Sequence, residues 1–398
     1  MSSVIADKKL FLTAFAINFC ISLGFCMTDS FFSIYYKSLG AEALLIGFSA
    51  ASYQLAKALL GPVLGKIADY KGYIKVIVSS VILYLFVAAA FLTVTNIYFL
   101  IGIRLIQGIA CAALRPVLYG FINLKMNRAC RSETFGTFDI AFYAALALGP
   151  LLGGVVSRYA GIAGIFHLTF VLCIIALVLC IPLIKQEYGC PARRTFYARS
   201  LQFSKTEIAM YVFIFGKASS LACFTVYYPI YLIGNGLSSF ETGIVLSCSA
   251  IGMCFFIKPM GRLADISSKP LMVFIGGCSV SLMYFWLPEH ISFYNVSVFS
   301  FLCGAFGAMS QPAGVSLLMQ NRYQGRDASM MGIFNSVMGL GFAFGAVFSS
   351  GIADRFGINE AFTASGIIGF ISTLLFLTII KTETAFPRFM KESIIHKN

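Results

Sequence analysis

Seven ionisable side chains lie inside long apolar runs of this chain: Asp29, Lys57, Arg104, Arg115, Asp139, Lys217 and Lys258. An ionised group held in lipid costs at least about 2.5 kcal/mol, so each needs a partner, a wet cavity or a route to the surface. Asp29 and Arg104 each lie about seven residues from the outer end of their run, roughly 10 Å below the outer surface at about 1.5 Å per helical residue. They share a depth and can pair. Burial favours the protonated carboxyl and a neighbouring guanidinium favours the carboxylate, a balance suited to taking up and releasing a proton. A static structural ion pair is the alternative, and the sequence leaves both open. Arg115 follows Arg104 by eleven residues, about 1,100° of helical rotation, so their faces differ by only ~20° and they stand ~16 Å apart along one wall. Lys217, some ten residues into its run, lies near the midplane. Arg115 and Lys217 together predict a preference for an anionic group. Lys57 either joins them or snorkels, Lys258 snorkels, and Asp139 caps a helix locally or pairs with Arg131.

Catalysis finds no footing in these residues. The three histidines, His167, His290 and His396, are scattered, nothing resembles a triad or a metal cluster, and a Gly-x-x-x-x-Gly-Lys-[Ser/Thr] phosphate loop is missing. The expectation is a protein that is not an enzyme and uses no cofactor, with a proton gradient as its energy source.

The elements that position these charges are helices in lipid. Of 398 residues, 59% are hydrophobic and 11% charged, against the roughly 25% charged residues of soluble domains. A membrane helix needs about 20 apolar residues, and twelve such runs recur, near 11–36, 44–65, 76–95, 97–123, 135–157, 161–184, 207–234, 242–261, 270–288, 291–320, 329–352 and 361–380. Alternating strand patterns are missing, which excludes a barrel and predicts an all-α membrane protein of twelve transmembrane helices. The first run, with Asp29 inside it and reaching Tyr36, reads as a retained helix rather than a signal peptide. The net charge of +13 is explained by position. With the N-terminus in the cytoplasm, twenty-one Lys and Arg fall on that side and only Lys37, Arg158 and Arg355 outside, so both termini are predicted cytoplasmic and no nucleic-acid partner is invoked. Twelve scattered cysteines without a CxxC pair predict neither disulfides nor a metal site.

Sliding the chain on itself by 196 residues aligns Gly65-Lys-Ile-Ala-Asp69 with Gly261-Arg-Leu-Ala-Asp265, and Arg115-Pro116 with Gln311-Pro312. Gly40, Gly47, Gly108, Gly136 and Gly149 fall on Gly236, Gly243, Gly304, Gly332 and Gly345. The chain reads as a duplication: an N-terminal six-helix bundle over 1–187, a basic cytoplasmic linker over 188–206, and a C-terminal six-helix bundle with a short tail over 207–398. Phe31, Phe32 and Tyr35 align with Tyr227, Tyr228 and Tyr231. Tyr227, Tyr228 and Gln311 join Arg115 and Lys217 as candidate substrate contacts, with an outer gate or an aromatic belt as the other explanation of the tyrosines.

On these residues the chain resembles the major facilitator superfamily (MFS) over about Leu10 to Ile380. Gly65-Lys-Ile-Ala-Asp69-Tyr-Lys-Gly72-Tyr-Ile-Lys75 is similar to the family's helix 2–3 signature, with Tyr70 and Tyr73 in place of two arginines. Arg104-Leu-Ile-Gln-Gly108 resembles the helix 4 signature. Gly136, Ala145 and Gly149-Pro150-Leu-Leu-Gly153-Gly154 resemble the helix 5 signature of exporters, with Ala145 the one departure. The resemblance implies two pseudo-symmetric six-helix bundles that work by alternating access. It makes Gly65, Asp69, Gly72, Gly261, Asp265, Gly149, Pro150, Gly153 and Gly154 the conformational gate, while the shared depth and opposite charge of Asp29 and Arg104 make them the expected proton-coupling pair. The expected activity is proton-coupled efflux of a small organic solute by a monomer in a bacterial inner membrane. Uptake of an anionic metabolite is the rival, and a non-transporting sensor or lipid-handling protein is the alternative from another class.

Overall fold

The computed structural model describes residues 8–125, 131–184, 204–285, 291–319 and 327–381, and among these all regular structure is helical. The helices are α1 (Lys8–Ser38), α2 (Ala43–Lys71), α3 (Tyr73–Thr93), α4 (Ile97–Lys125), α5 (Arg131–Leu179), α6 (Ile181–Ile184), α7 (Lys205–Gly234), α8 (Ser239–Ile266), α9 (Lys269–Phe285), α10 (Phe293–Met319), α11 (Asp327–Arg355) and α12 (Ile358–Lys381). Ten of them are long and apolar enough to cross a membrane, and α9 is a shorter apolar helix. The apolar stretch Thr137–Ile184 runs for 48 residues, about 72 Å of helix against a core of ~30 Å, so it supplies two crossings. The protein is therefore a multi-pass membrane protein.

The two expected runs at 135–157 and 161–184 are not separated by a loop. The span α5 covers two helices that meet directly at a kink at Gly161 (φ 69°, ψ −178°). One residue at positive φ turns the chain where a side chain would clash, and only glycine does this cheaply. Its mate 196 residues on, Gly357 (φ 114°), separates α11 from α12, and Gly40 (φ 80°) and Gly236 (φ 94°) form a second such pair. The duplication is thus visible in the backbone of the turns as well as in the signatures.

The chain divides into two compact units, Met1–Phe196 with Tyr228–Ser247, and Tyr197–Tyr227 with Cys248–Asn398. Within each, small residues and hydroxyls carry the helix contacts, as expected where lipid offers no hydrophobic drive. In the first unit a Cβ on Gly108 would collide with the Tyr53 carbonyl, and in the second a Cβ on Gly304 would collide with the Ser249 carbonyl, again 196 residues apart at both ends. Thr169 Oγ1 donates to the Gly24 carbonyl at 2.9 Å; in the equivalent place of the second unit Ser220 Oγ donates to the Ser365 carbonyl at 2.5 Å. The second unit's core gathers Met210, Phe213, Val273, Leu318 and Phe376 from α7, α9, α10 and α12.

Candidate functional site

α1 and α4 bring Asp29 and Arg104 together. Arg104 Nη1 donates to Asp29 Oδ1 and, at 2.8 Å, to Gln107 Oε1, while Gln107 Nε2 donates to the same aspartate oxygen at 3.3 Å. The guanidinium lies 4.4 Å from the Phe32 ring centroid and 5.0 Å from that of Tyr53. Its side chain is 8% exposed, whereas that of Asp29 is 32% exposed. A buried cation therefore holds a carboxylate that is about one third exposed. Gln107 was not singled out by the sequence, although its place one turn from Arg104 on the same helix carried the signal.

Eleven residues along α4, Arg115 makes a second ion pair. Its Nη2 lies 3.3 Å from Asp139 Oδ1 on α5, and Tyr119 OH donates to the same oxygen. The Arg115 guanidinium stacks 3.7 Å from the Phe142 ring centroid. Asp139, expected to cap its helix or bridge to Arg131, makes this pair with Arg115; the Arg131 side chain lies outside the described residues. The reason is helical register: Arg115 and Tyr119 are one turn apart on α4, as are Asp139 and Phe142 on α5. Arg115, expected with Lys217 to favour an anionic group, is here paired with an internal carboxylate.

Lys217 on α7 differs in kind. Its ammonium donates to Ser310 Oγ at 2.7 Å and contacts the Gly307 carbonyl at 3.5 Å, both on α10, and it has no carboxylate partner among the described residues. Lys57 on α2 is partly buried and also lacks a carboxylate partner among them. Gln311 is exposed beside Ser310. Tyr227 and Tyr228 are 1% and 0% exposed, and Tyr227 OH donates to Ser350 Oγ on α11 at 2.7 Å, so packing absorbs both in this conformation.

The residues expected to form the gate fall at two places. Tyr73, which stands where the signature has an arginine, donates to Asp69 Oδ1 at 2.5 Å across the bend at Gly72 (φ 96°). Gly65, Gly261 and Asp265 make no comparable bond: a Cβ on Gly65 would meet open space, one on Gly261 only Pro312, and Asp265 is exposed. On α5 the small-residue face serves two neighbours. A Cβ on Gly149 would stand 2.6 Å from Cys26 Cβ, and one on Gly153 2.9 Å from the Phe31 ring, both on α1. A Cβ on Gly154 would stand 2.9 Å from the Ser239 carbonyl and 3.1 Å from Gly243 Cα on α8, while one on Gly243 would collide with the Pro150 carbonyl. Beside this contact the Arg158 guanidinium lies 5.6 Å from the Phe240 ring.

Comparison with known proteins accords with this architecture. The Major Facilitator Superfamily profile matches residues 14–297 and 210–394. An uncharacterized MFS-type transporter of Methanocaldococcus jannaschii is 23% identical over 380 residues, 92% of this chain and 98% of that protein. The multi-drug resistance efflux pump PmrA of Streptococcus pneumoniae is also 23% identical, over 92% of this chain and 96% of its own. Among solved structures, the nucleoside transporter NupG superposes with a TM-score of 0.74 at 15% identity, covering 94% of this chain and 98% of that one. A bacterial homologue of the human lysosomal transporter Spinster, inward-facing and occupied, superposes with a TM-score of 0.79 at 11% identity, over 94% and 96%. The chain belongs to the Major Facilitator Superfamily and is a membrane transporter of that family.

Proposed function

We propose that the protein exports a small organic solute across a bacterial cytoplasmic membrane in exchange for protons, by alternating access of its two repeated halves, each supplying six of twelve crossings. The observation that carries this reading is the Asp29–Arg104–Gln107 cluster: a partly exposed carboxylate held by a buried guanidinium inside an apolar bundle. Protonating Asp29 cancels its attraction to Arg104, so the bond that ties α1 to α4 weakens when the proton arrives and reforms when it leaves. No cofactor is needed, because the proton gradient supplies the work. The export direction is supported by the small-residue face of α5 and by relatives named as multi-drug resistance efflux pumps.

In energised inside-out vesicles, pools of cationic, neutral and anionic compounds are added while the internal pH is followed, with Asp29→Asn vesicles as control. Collapse of the gradient by one pool in the wild type alone supports the reading. Equal behaviour of both vesicle types with every pool removes Asp29 from the mechanism. A second reading, uptake of an anionic metabolite, is favoured by one observation: Lys57 and Lys217 are cations without carboxylate partners among the described residues. Solute accumulation by right-side-out vesicles under an inward proton gradient distinguishes it.

A further inference from the structure

α8 carries an exposed stripe that no transport step above uses. Ile251, Phe255, Lys258, Arg262 and Ile266 fall within an arc of about 80° at ~100° per residue. All five are exposed, Phe255 to 68% and Ile266 to 85%. The stripe is apolar toward the middle of the helix and dibasic toward the end that the charge distribution assigns to the cytoplasm. There Lys258, Pro259, Arg262, Leu263 and Ile266 line a shallow groove of about 450 Å³. Lys258 and Arg262 are one turn apart, about 6 Å along the axis, a span that one phosphate can bridge. Neither has a carboxylate partner among the described residues. Asp265, exposed three residues after Arg262, makes no ion pair with it there, and Lys269 at the start of α9 adds a further cation nearby.

The internal repeat supplies a control within the same chain. The mates of this stripe on α2 are Leu55, Leu59, Pro62, Lys66 and Tyr70, which are likewise exposed but carry a single cation. Anchoring a helix end among headgroups requires one snorkelling cation, and both helices have it. The second cation, beside the first and below an exposed Phe255, is particular to α8. We infer that this stripe binds an anionic phospholipid, its phosphate between Lys258 and Arg262 and an acyl chain along Phe255 and Ile251. The inference depends only on the chain spanning a membrane, not on what it transports.

The test is native mass spectrometry of the purified full chain with an equimolar mixture of phosphatidylglycerol and phosphatidylcholine of matched acyl chains. The wild type should retain phosphatidylglycerol with a preference of about thirtyfold, and Lys258→Gln or Arg262→Gln should each lower it about fivefold, the worth of one cation near a charged headgroup. Lys258→Arg should keep the preference, which separates charge from folding, and Lys66→Gln should leave it unchanged. Phe255→Ala should weaken retention, and millimolar inorganic phosphate should leave the lipid bound. Equal retention of both lipids by the wild type overturns the site. So does a loss with Lys66→Gln as large as with Lys258→Gln, which would make the effect one of general surface charge. Displacement by inorganic phosphate would make it a site for the free ion.

Discussion

Replacing Asp29 by asparagine removes one charge and almost no volume, and its effects on stability and on coupling come apart. Breaking a buried ion pair from one side costs about 3–5 kcal/mol. Here the loss is smaller, because Asp29 is 32% exposed and because Arg104 keeps Gln107 Oε1 at 2.8 Å and the Phe32 ring at 4.4 Å. An amide oxygen at position 29 can still accept from the guanidinium. We expect about 2 kcal/mol of destabilisation, a melting shift of several degrees. Under the proposed proton exchange, the effect on coupling is total by comparison. One proton exchanged across one pH unit supplies about 1.4 kcal/mol, a tenfold solute gradient, and a side chain that cannot take the proton sustains none. In proteoliposomes at a pH difference of one unit, using the compound that collapses the gradient in vesicles, the wild type should hold about a tenfold gradient and Asp29→Asn about onefold, while both still exchange solute downhill. The double variant Asp29→Asn/Arg104→Gln should recover the melting temperature without recovering the gradient. An Asp29→Asn protein that holds a tenfold gradient refutes the reasoning and leaves a static ion pair.

Further expectations follow from the other contacts. Lys217→Gln removes a cation without a carboxylate partner among the described residues, so it should weaken binding of an anionic solute by about tenfold or more while a neutral analogue changes less, as read by thermal-shift titration. Asp139→Asn frees Arg115 from its internal carboxylate and should raise affinity for anionic solutes in the same titration; unchanged affinity assigns the pair to structure. Gly154→Val forces a side chain against backbone of α8 and should cost about 1–3 kcal/mol in thermal melting, with transport falling more than expression does. Tyr227→Phe deletes the bond to Ser350 and should cost about 1 kcal/mol in the same melt, with solute affinity unchanged.

Much of this was legible in the residues, and the failures are instructive. The helices could be read because each apolar run must satisfy its own backbone in lipid, and Asp29 and Arg104 could be matched because depth follows from counting along two helices. The partner of Arg115 could not be matched in that way. Asp139 lies near the start of its helix, where local roles look sufficient, and its approach to Arg115 depends on the rotation of α5 against α4, which no spacing within one helix reveals. The missing loop after Arg158 was hidden for a different reason: at Gly161 a single left-handed residue does the work of a turn. Tyr227 and Tyr228 looked available as aromatic contacts, but their burial follows from packing against distant residues such as Ser350.

The contrast between matched and unmatched charges has an electrical consequence. Arg104 and Arg115 each face a carboxylate, so a transmembrane field meets only two small dipoles there. Lys57 and Lys217 have no such counter-charge among the described residues. A potential, negative inside, does about 2.3 kcal/mol of work per elementary charge per 100 mV on whatever fraction of the field such an ammonium crosses. A monoanionic solute would cancel one of these two charges in the solute-loaded carrier, so the voltage would act more strongly on the proton-loaded return. A neutral solute would leave both half-cycles electrogenic, and current recordings at clamped voltage tell one from the other.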